Sequence, residues 1–287
     1  MKAFTHCVTT ALAAVVLLAL PLLAQAQQAA AGAEATAGAG AMTAAAPTAA
    51  PPAIDPKADE ILKKMGKCLS EAKSFSLESH AIADQITPDM QRVQYAKNHK
   101  VIVRRPDRLA ADVVSDGGDL QFRYDGKTVT IYNPGTKSWG STEAPKTIHE
   151  TLDMLAEKYG MVIPLADLVF PDPYQVLMEH VRSAEYLGLG YVFDTKCHHL
   201  AFRGPGVDWE IWIQQGDQPL PLKMEISFSD VPGHPDYTAF LSNWNLSPDT
   251  PDSAFVFTPP PGSKQVEFAP AKVPAAANGN GAPAGKP

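Results

Sequence analysis

Residues His149 to Asp153 read His-Glu-Thr-Leu-Asp, which differs by one residue from a zinc hydrolase motif. In that motif two histidines one helical turn apart hold the metal, and the glutamate activates water. Here Asp153 stands in place of the second histidine, and Glu150 completes a helix capping box with Thr147. We therefore expect a helix start with a solvated His149, and neither a metal site nor a catalytic site.

A second group of titratable residues consists of Asp194, His198 and His199. The two histidines are consecutive in a predicted strand, so they point to opposite faces and cannot share one metal ion. The chain contains no G-x-S-x-G motif, no glycine-rich phosphate loop and no cysteine pair with metal-ligand spacing. We predict no catalytic residue, no metal and no cofactor, and a protein that is not an enzyme.

Three arginines, Arg104, Arg105 and Arg108, form a basic cluster at the end of a predicted strand. Consecutive strand residues alternate between faces, so only one of Arg104 and Arg105 can point inward. An inward guanidinium with five N–H donors could act as a polar gate, by binding carbonyl groups of a lid or a ligand head group. The alternative is an ion pair at the surface with Asp107 or Asp112.

Six large side chains on predicted inward faces are candidates for lining a ligand site. They are Phe75, Phe122, Tyr124, Trp209, Met224 and Phe228. The alternative is that they only form core, because ordinary burial of such residues needs no ligand. In a sheet that is partly covered by helices, the same face can do both at different depths.

Two cysteines lie in the foldable part of the chain, Cys68 and Cys197. An exported compartment permits a disulfide between them. Cys68 falls on the apolar stripe of a predicted helix, so two buried free thiols are the alternative. The sequence leaves both open.

The charge balance is acidic, with 24 Lys+Arg against 31 Asp+Glu and a net charge of −7 over 287 residues. Without residues 1–26 it is −8, because Lys2 is the only charged residue there. A net-acidic surface argues against DNA or RNA as the main partner, since binding to phosphates needs a basic face. It also argues against electrostatic docking on anionic lipid.

The first 26 residues have the three-part pattern of a secretory signal peptide. Lys2 precedes the apolar run 11–24, and Ala24-Gln25-Ala26 is a cleavage site. No later segment approaches the length of apolar sequence that spans a membrane, so no integral membrane segment should remain after cleavage. We predict a protein that is exported to the periplasm and soluble.

Two segments of biased composition flank the foldable part. Residues 27–54 and 269–287 are rich in Ala, Pro and Gly and carry few charges. They cannot bury enough apolar surface to become ordered, so we predict a disordered linker and a disordered tail. Residues 55–268 remain, and they suffice for one large domain with its own core.

Three helices are indicated by their first residues. The starts are Thr147 and the dipeptides Asp55-Pro56 and Asp172-Pro173. Each offers a side chain that caps the first turn, and apolar residues follow at spacings of three and four. Gly160 is placed to end the second helix.

Most of the remaining chain alternates between apolar and polar residues, as strands with one buried face do. Asp125-Gly126 predicts a two-residue hairpin turn in which Tyr124 faces Lys127, and it places Phe122 and Val129 on one face. About ten strands joined by short turns predict an antiparallel sheet. A flat sheet that wide would leave its apolar face uncovered. The predicted fold class is therefore α+β: a strongly curved, unclosed, barrel-like sheet with about three helices packed on its concave side.

Several segments resemble known families. Residues 101–109, an apolar strand that runs into R-P-x-R, and the hairpin sequence 115–134 resemble the periplasmic lipoprotein-carrier superfamily with the LolA/LolB-like fold. More closely, residues 55–268 resemble a family of predicted periplasmic proteins of unknown function. The segments that match it best are 152–160, 197–203, 208–213 and 242–246. The carrier resemblance implies an unclosed antiparallel barrel with helices over an apolar cavity, which binds acyl chains or another apolar ligand.

These observations favour a periplasmic carrier or sensor that binds a lipid, an acyl chain or a lipoprotein in a helix-capped half-barrel. The alternative is an envelope protein that binds another protein through a sheet edge or groove, without a lipid ligand. A hydrolase is the third hypothesis, for which the chain offers no complete set of catalytic residues. Fold alone does not decide between them.

Overall fold

The computed structural model describes residues 53–161 and 163–269. The predicted signal peptide lies outside these ranges. Of the predicted linker and tail, only residues 53, 54 and 269 lie inside them.

The described ranges contain three α-helices and twelve strands. The helices are α1 (Pro56–Glu71), α2 (Ile148–Tyr159) and α3 (Pro173–Met178). The strands are β1 (Ser74–Ile86), β2 (Arg92–Arg104), β3 (Arg108–Ser115), β4 (Leu120–Tyr124), β5 (Thr128–Asn133), β6 (Ser138–Glu143), β7 (Ser183–Val192), β8 (Thr195–Arg203), β9 (Val207–Gln214), β10 (Pro221–Phe228), β11 (Asp236–Asn245) and β12 (Lys264–Gln265). Short 3₁₀ turns occupy Ala166–Val169 and Asp252–Ala254.

All twelve strands belong to one sheet in the order β12-β6-β5-β4-β3-β2-β1-β11-β10-β9-β8-β7. Neighbours are antiparallel except β12, which runs parallel to β6. The outermost strands β12 and β7 do not pair with each other, so the sheet is not closed. The predicted α+β fold with an unclosed, mostly antiparallel sheet is confirmed, with twelve strands where about ten were predicted.

Helices α1 and α3 begin at the predicted capping residues. Asp55 accepts hydrogen bonds from the backbone amides of Lys57 and Ala58 at 2.7 and 3.4 Å. Asp172 accepts one from the amide of Gln175 at 3.1 Å. These bonds satisfy N–H groups that have no partner within the helix.

The capping box predicted at the start of α2 forms in part, because Glu150 bonds to the hydroxyl of Thr147 and not to its backbone amide. The amide of Glu150 donates to Thr147 Oγ1 at 3.2 Å, and the Thr147 hydroxyl donates to the Glu150 carboxylate at 2.8 Å. At the other end Gly160 adopts φ +64°, and its N–H donates to the carbonyl of Ala156. This left-handed conformation suits glycine and turns the chain out of the helix toward the sheet.

The predicted two-residue turn at Asp125-Gly126 is wrong. Tyr124 pairs with Val129, not with Lys127, and three residues, 125–127, separate β4 from β5. The Asp125 carboxylate accepts hydrogen bonds from the amides of Lys127 and Thr128 at 3.0 and 2.8 Å, which stabilises the wider turn. The register differs from the predicted one by two residues, so Phe122 and Val129 still share a face.

Residues 53 and 54, at the end of the predicted linker, pair with the edge of the sheet. Ile54 forms a parallel bridge with Ala184 at the edge strand β7, and the amide of Ala184 donates to the carbonyl of Ala53 at 3.1 Å. The edge of β7 offers free backbone groups, and the chain uses them just before α1 begins.

Helices α1 and α3 pack closely against each other. A Cβ atom at Gly66 would lie 2.6 Å from Cβ of Tyr174, so the two helices need glycine at this point. The Tyr174 hydroxyl donates to Asp59 at 2.6 Å and joins the helices at their polar side. Helix α1 packs on β7 and β9, while α2 and α3 pack on the turn Ala166–Val169.

Candidate functional site: an apolar cleft

A cleft of about 240 Å³ lies on the concave side of the sheet and is partly open to solvent. Its floor is the inner face of β1 to β5 and β11, and its cover is α2 with residues 161 and 163–169. We call it the apolar cleft. Apolar residues that line it include Leu77, Val101, Leu109, Ala111, Val113, Phe122, Ile131, Leu152, Met161, Ile163, Leu165, Leu168 and Leu241.

Strand register brings the floor residues to one face. Val101 pairs with Ala111, Ala111 pairs with Phe122, and Phe122 pairs with Ile131. Residues directly opposite each other in neighbouring strands share a face, so these four form a row across β2 to β5. The row contains only apolar side chains, and its small member Ala111 leaves space above the sheet.

The cover is irregular backbone held by local bonds. After α2 ends, Leu165 adopts φ +64°, and the amide of Leu168 donates to its carbonyl at 3.1 Å. The 3₁₀ turn that follows directs Leu168 and Val169 into the core, where both are buried. A side chain other than glycine at positive φ is uncommon, so the turn depends on this packing.

Three polar side chains on the floor interrupt the apolar lining. Ser79, Lys97 and His99 lie on β1 and β2 among the lining residues. Burial and, less strongly, the nearby Lys97 ammonium lower the pKa of His99 to about 4. Burial also lowers the pKa of Lys97. Sequence reasoning missed this group, although Lys97 and His99 alternate in phase with the apolar Val101.

Of the two candidate gate residues, Arg105 points inward. Its guanidinium donates to the carbonyls of Phe170 at 2.8 Å and Ala72 at 3.3 Å, and it lies 5.2 Å from the centre of the Phe75 ring. Burial lowers the pKa of Arg105 to about 10, and its Nε has no hydrogen-bond partner. Arg105 therefore links the end of β2 to Phe170, the residue directly after the cover.

The other two arginines of the cluster form ion pairs nearer the surface. Arg104 donates to the carbonyl of Thr250 at 2.7 Å and pairs with the carboxylate of Asp252. Arg108 pairs with Asp107 at 2.8 Å. The partner of Arg108 is one of the two carboxylates that the surface alternative names, whereas Arg104 pairs with Asp252, which it does not name. Neither arginine lines the apolar cleft.

The structure places the six candidate lining residues at different depths, and only Phe122 lies in the wall of the apolar cleft. Phe75, Tyr124 and Met224 are fully buried in the core. Trp209 stacks on Phe202 with ring centroids 3.9 Å apart, and it borders a separate depression of about 330 Å³. Phe228 lines a narrow cleft of about 60 Å³ that adjoins the apolar cleft. Trp209 lies on β9, which is covered by α1, and it is buried as part of the core.

The histidines singled out by the sequence form separate pairs. His149 Nε2 lies 3.1 Å from Asp153 on the same helix. His198 Nδ1 contacts the Tyr186 hydroxyl at 3.2 Å, while His199 Nε2 contacts Glu210 at 2.6 Å. Within residues 53–161 and 163–269, no group of three or more His, Cys, Asp or Glu is placed to hold a metal ion.

Both cysteines are free thiols in the structure. Cys68 is half-buried on α1, and Cys197 is fully buried in β8. Burial raises the pKa of each thiol.

A larger depression of about 620 Å³ lies beside α1 and is wide open to solvent. Its lining includes the charged side chains Lys64, Lys67, Glu71 and Asp217. Charged and exposed walls do not suit an apolar ligand, because their water would have to be removed. The smaller apolar cleft is therefore the candidate site.

The chain is similar to several solved structures. One is an uncharacterized conserved protein from Thermus thermophilus, at 13% identity and TM-score 0.44, covering 74% of this chain and 99% of that chain. Another is lipoprotein LppX from Mycobacterium tuberculosis, at 13% identity and TM-score 0.43, covering 68% and 98%. A third is a LolA superfamily protein from Nitrosomonas europaea, at 13% identity and TM-score 0.33, covering 70% and 97%. At these identities and TM-scores, the similarities carry no argument about ligand or function.

No curated protein matches the chain. No helix in the described ranges is both long and apolar enough to cross a bilayer. The model of the family described as Predicted periplasmic protein (DUF2092) matches residues 58–269. The predicted periplasmic location agrees with this description and is confirmed. With most of its length matched, the chain belongs to the predicted periplasmic protein family DUF2092.

Proposed function

We propose that this protein binds a lipid or acyl chain in the apolar cleft, as a periplasmic carrier or sensor that catalyses no reaction. The observation that supports this function is the partly open space of about 240 Å³ between the apolar row Val101–Ala111–Phe122–Ile131 and its cover. Folding leaves this apolar surface in contact with water. Covering it with a ligand stabilises the complex by about 25 cal/mol per Å² of apolar surface buried.

The volume favours a single chain over a bulky ligand. Pockets that enclose drug-sized molecules measure about 300–1,000 Å³. A cleft of about 240 Å³ is smaller, so it suits one acyl chain or the acyl group of a lipoprotein, with part of the ligand outside.

Arg105 is proposed to hold the cover in place. Its bond to the carbonyl of Phe170 fastens the chain directly after the 3₁₀ turn Ala166–Val169. The ligand would enter by displacement of the preceding residues, while this anchor stays fixed. Arg105 would then act on the cover and would not touch the ligand.

Each part of the chain has a proposed role in this function. Residues 1–26 direct export and are removed, and the domain that starts near Ala53 carries the cleft. The Ala/Pro/Gly-rich segments on either side would act as tethers that let a carrier or sensor reach other envelope components.

Uptake of the neutral fluorescent probe N-phenyl-1-naphthylamine tests the proposal. Val113 lines the cleft, whereas its neighbour Val114 is exposed on the other face. Val113→Trp should fill the cleft and reduce probe binding by at least about tenfold. Val114→Trp, the matched control, should bind the probe like wild type. Equal probe binding by all three proteins, or none by wild type, would contradict the proposal.

A protein partner is the second candidate, because the edge strand β7 exposes apolar side chains. Leu187, Leu189, Tyr191 and the adjacent Phe193 are 46%, 47%, 67% and 79% exposed. Within the described residues, β7 pairs beyond β8 only with the bridge at Ile54. An edge of this kind can accept an added strand.

Leu189→Lys and Val114→Lys separate this candidate from a general loss of apolar surface. A protein that binds at β7 should be cross-linked to the wild-type protein in the envelope. It should no longer be cross-linked to Leu189→Lys, and it should still be cross-linked to Val114→Lys. Retention of the same stoichiometric partner by both variants would remove β7 as the binding edge.

A further inference from the structure

Three polar side chains on neighbouring strands face the same part of the apolar cleft. Ser79 on β1 is directly paired with His99 on β2, and Lys97 lies two residues before His99 on the same face. All three line the cleft, together with Leu241 opposite Ser79 on β11. Polar groups that line an apolar site at one point are the usual means of fixing a ligand's orientation.

Lys97 carries a positive charge without a carboxylate partner. Among residues 53–161 and 163–269, no carboxylate lies within ion-pair distance of its ammonium. The other lysine of β2, Lys100, points to the opposite face and pairs with Glu78 at 3.4 Å. A cation that is partly removed from water and unpaired is costly to the fold, and an anion would offset that cost.

The two carboxylates at this end of the cleft are already engaged. Asp84 and Asp236 line the narrow cleft that adjoins Lys97, and both accept from Arg92, at 2.9 and 3.1 Å. Asp236 also accepts from Ser227, at 2.7 Å. Both carboxylates thus pair with Arg92, and neither lies within ion-pair distance of the Lys97 ammonium.

Ser79 gives independent support for a polar ligand group. It is 6% exposed, and its Oγ has no hydrogen-bond partner in the structure. A buried hydroxyl normally has a partner, because leaving it unpaired costs about 1–3 kcal/mol. The unpaired hydroxyl lines the same cleft as Lys97 and His99.

We propose that the ligand of the apolar cleft is an amphiphile with one acyl chain and an anionic head group, a carboxylate or a phosphate, which Lys97, His99 and Ser79 bind. The inference rests on the proposed function, since it names the class of ligand for the same cleft. The ammonium supplies charge and up to three N–H donors, and the hydroxyl one O–H. The neutral imidazole, which is hydrogen-bonded to the backbone of Ser79, borders the head group. The chain would extend along the apolar row toward Phe122.

Ligands of equal chain length separate the head group from the chain. Dodecanoate, dodecyl phosphate, dodecanol and dodecyltrimethylammonium should each be titrated against N-phenyl-1-naphthylamine bound to the wild-type protein. We expect one anion to bind at least about tenfold more tightly than dodecanol. Dodecyltrimethylammonium should bind more weakly than dodecanol. The tighter of the two anions identifies a carboxylate or a phosphate as the preferred head group.

Lys97→Met removes the charge and keeps the length of the side chain. It should abolish the preference for the anion and leave the affinity for dodecanol within about twofold. Lys100→Met, on the opposite face, should keep the full preference. A wild-type protein that binds the probe and dodecanol but shows no preference for an anion would overturn this inference alone. So would a preference that survives in Lys97→Met. Failure to bind the probe at all would overturn the proposed function instead.

Discussion

The two halves of the concave face are filled in different ways. Under α1 and α3, the strands β7 to β10 carry large side chains in close contact, with Leu200 and Ile211 fully buried and Phe202 stacked on Trp209. Under α2 and residues 163–169, the strands β2 to β5 leave the apolar cleft. Both halves alternate apolar and polar residues in sequence, so alternation alone does not mean a filled core.

The difference follows from what covers each half. Helix α1 has 16 residues and forms a close pair with α3, with Gly66 at the point of contact. Helix α2 has 12 residues, and irregular backbone continues its cover. The floor includes the small residues Ser79 and Ala111, which fill less space than the side chains of the other half. Space for a ligand thus arises where a short cover meets small side chains.

Two leucines on the inner face test this contrast most strongly. Leu200→Ala in the filled half should lower the free energy of unfolding by about 3 kcal/mol, because it leaves a cavity in a close-packed region. Leu120→Ala at the rim of the cleft, 40% exposed, should cost less than about 1 kcal/mol. Urea unfolding followed by tryptophan fluorescence measures both. Equal costs would mean that the two halves are packed alike.

The cover of the open half carries a buried carboxyl group, Asp167. Burial raises its pKa to about 7. Between pH 4 and 7 the folded state keeps this proton while the unfolded state loses it, so wild-type stability should fall as pH rises through this range. Asp167→Asn should remove the fall and be more stable at pH 8 by about 2 kcal/mol.

Unfolding midpoints at pH 4, 6 and 8 measure the effect of Asp167→Asn. The exposed Asp119→Asn serves as the control and should follow the wild-type profile within about 0.5 kcal/mol. Parallel profiles for wild type and Asp167→Asn would show that the pKa of Asp167 is not raised in the folded state.

Removal of the unpaired charge in the open half should stabilise the protein. Lys97→Met should raise the free energy of unfolding at pH 7 by about 1 kcal/mol, because the partly buried ammonium has no carboxylate partner. Its pKa is lowered in the folded state, so the gain is full at low pH and disappears as pH rises toward that of an unperturbed lysine. Thermal unfolding of wild type, Lys97→Met and Lys100→Met measures this gain in stability. A lower stability of Lys97→Met than of wild type would show that Lys97 has a partner.

The smallest expected effect is a difference in reactivity between the thiols of Cys68 and Cys197. In the native protein Cys68 should react slowly with iodoacetamide, because it is half-buried and its pKa is raised, whereas Cys197 should react only after unfolding. Peptide mass spectrometry distinguishes the two sites. Protection of both thiols that ends on reduction would indicate a disulfide.

The sequence by itself determined where the helices start and which faces of the strands point inward. Capping residues such as Asp55, Thr147 and Asp172 act on amides two or three positions away, so the helix starts could be predicted from neighbours in the chain. Alternation gave the inward faces of the strands, since side-chain direction has a period of two. It also predicted that only one of Arg104 and Arg105 points inward, and Arg105 is the one that does.

Only the tertiary structure decided which inward residues border empty space. Phe75, Tyr124 and Met224 face inward as predicted, yet other side chains fill the space around them. Lys97 and Ser79 drew no attention in the sequence, because their significance depends on the absence of a partner on other strands. Cleft and core differ in the fit between floor and cover, and that fit depends on distant parts of the chain that periodicity does not connect.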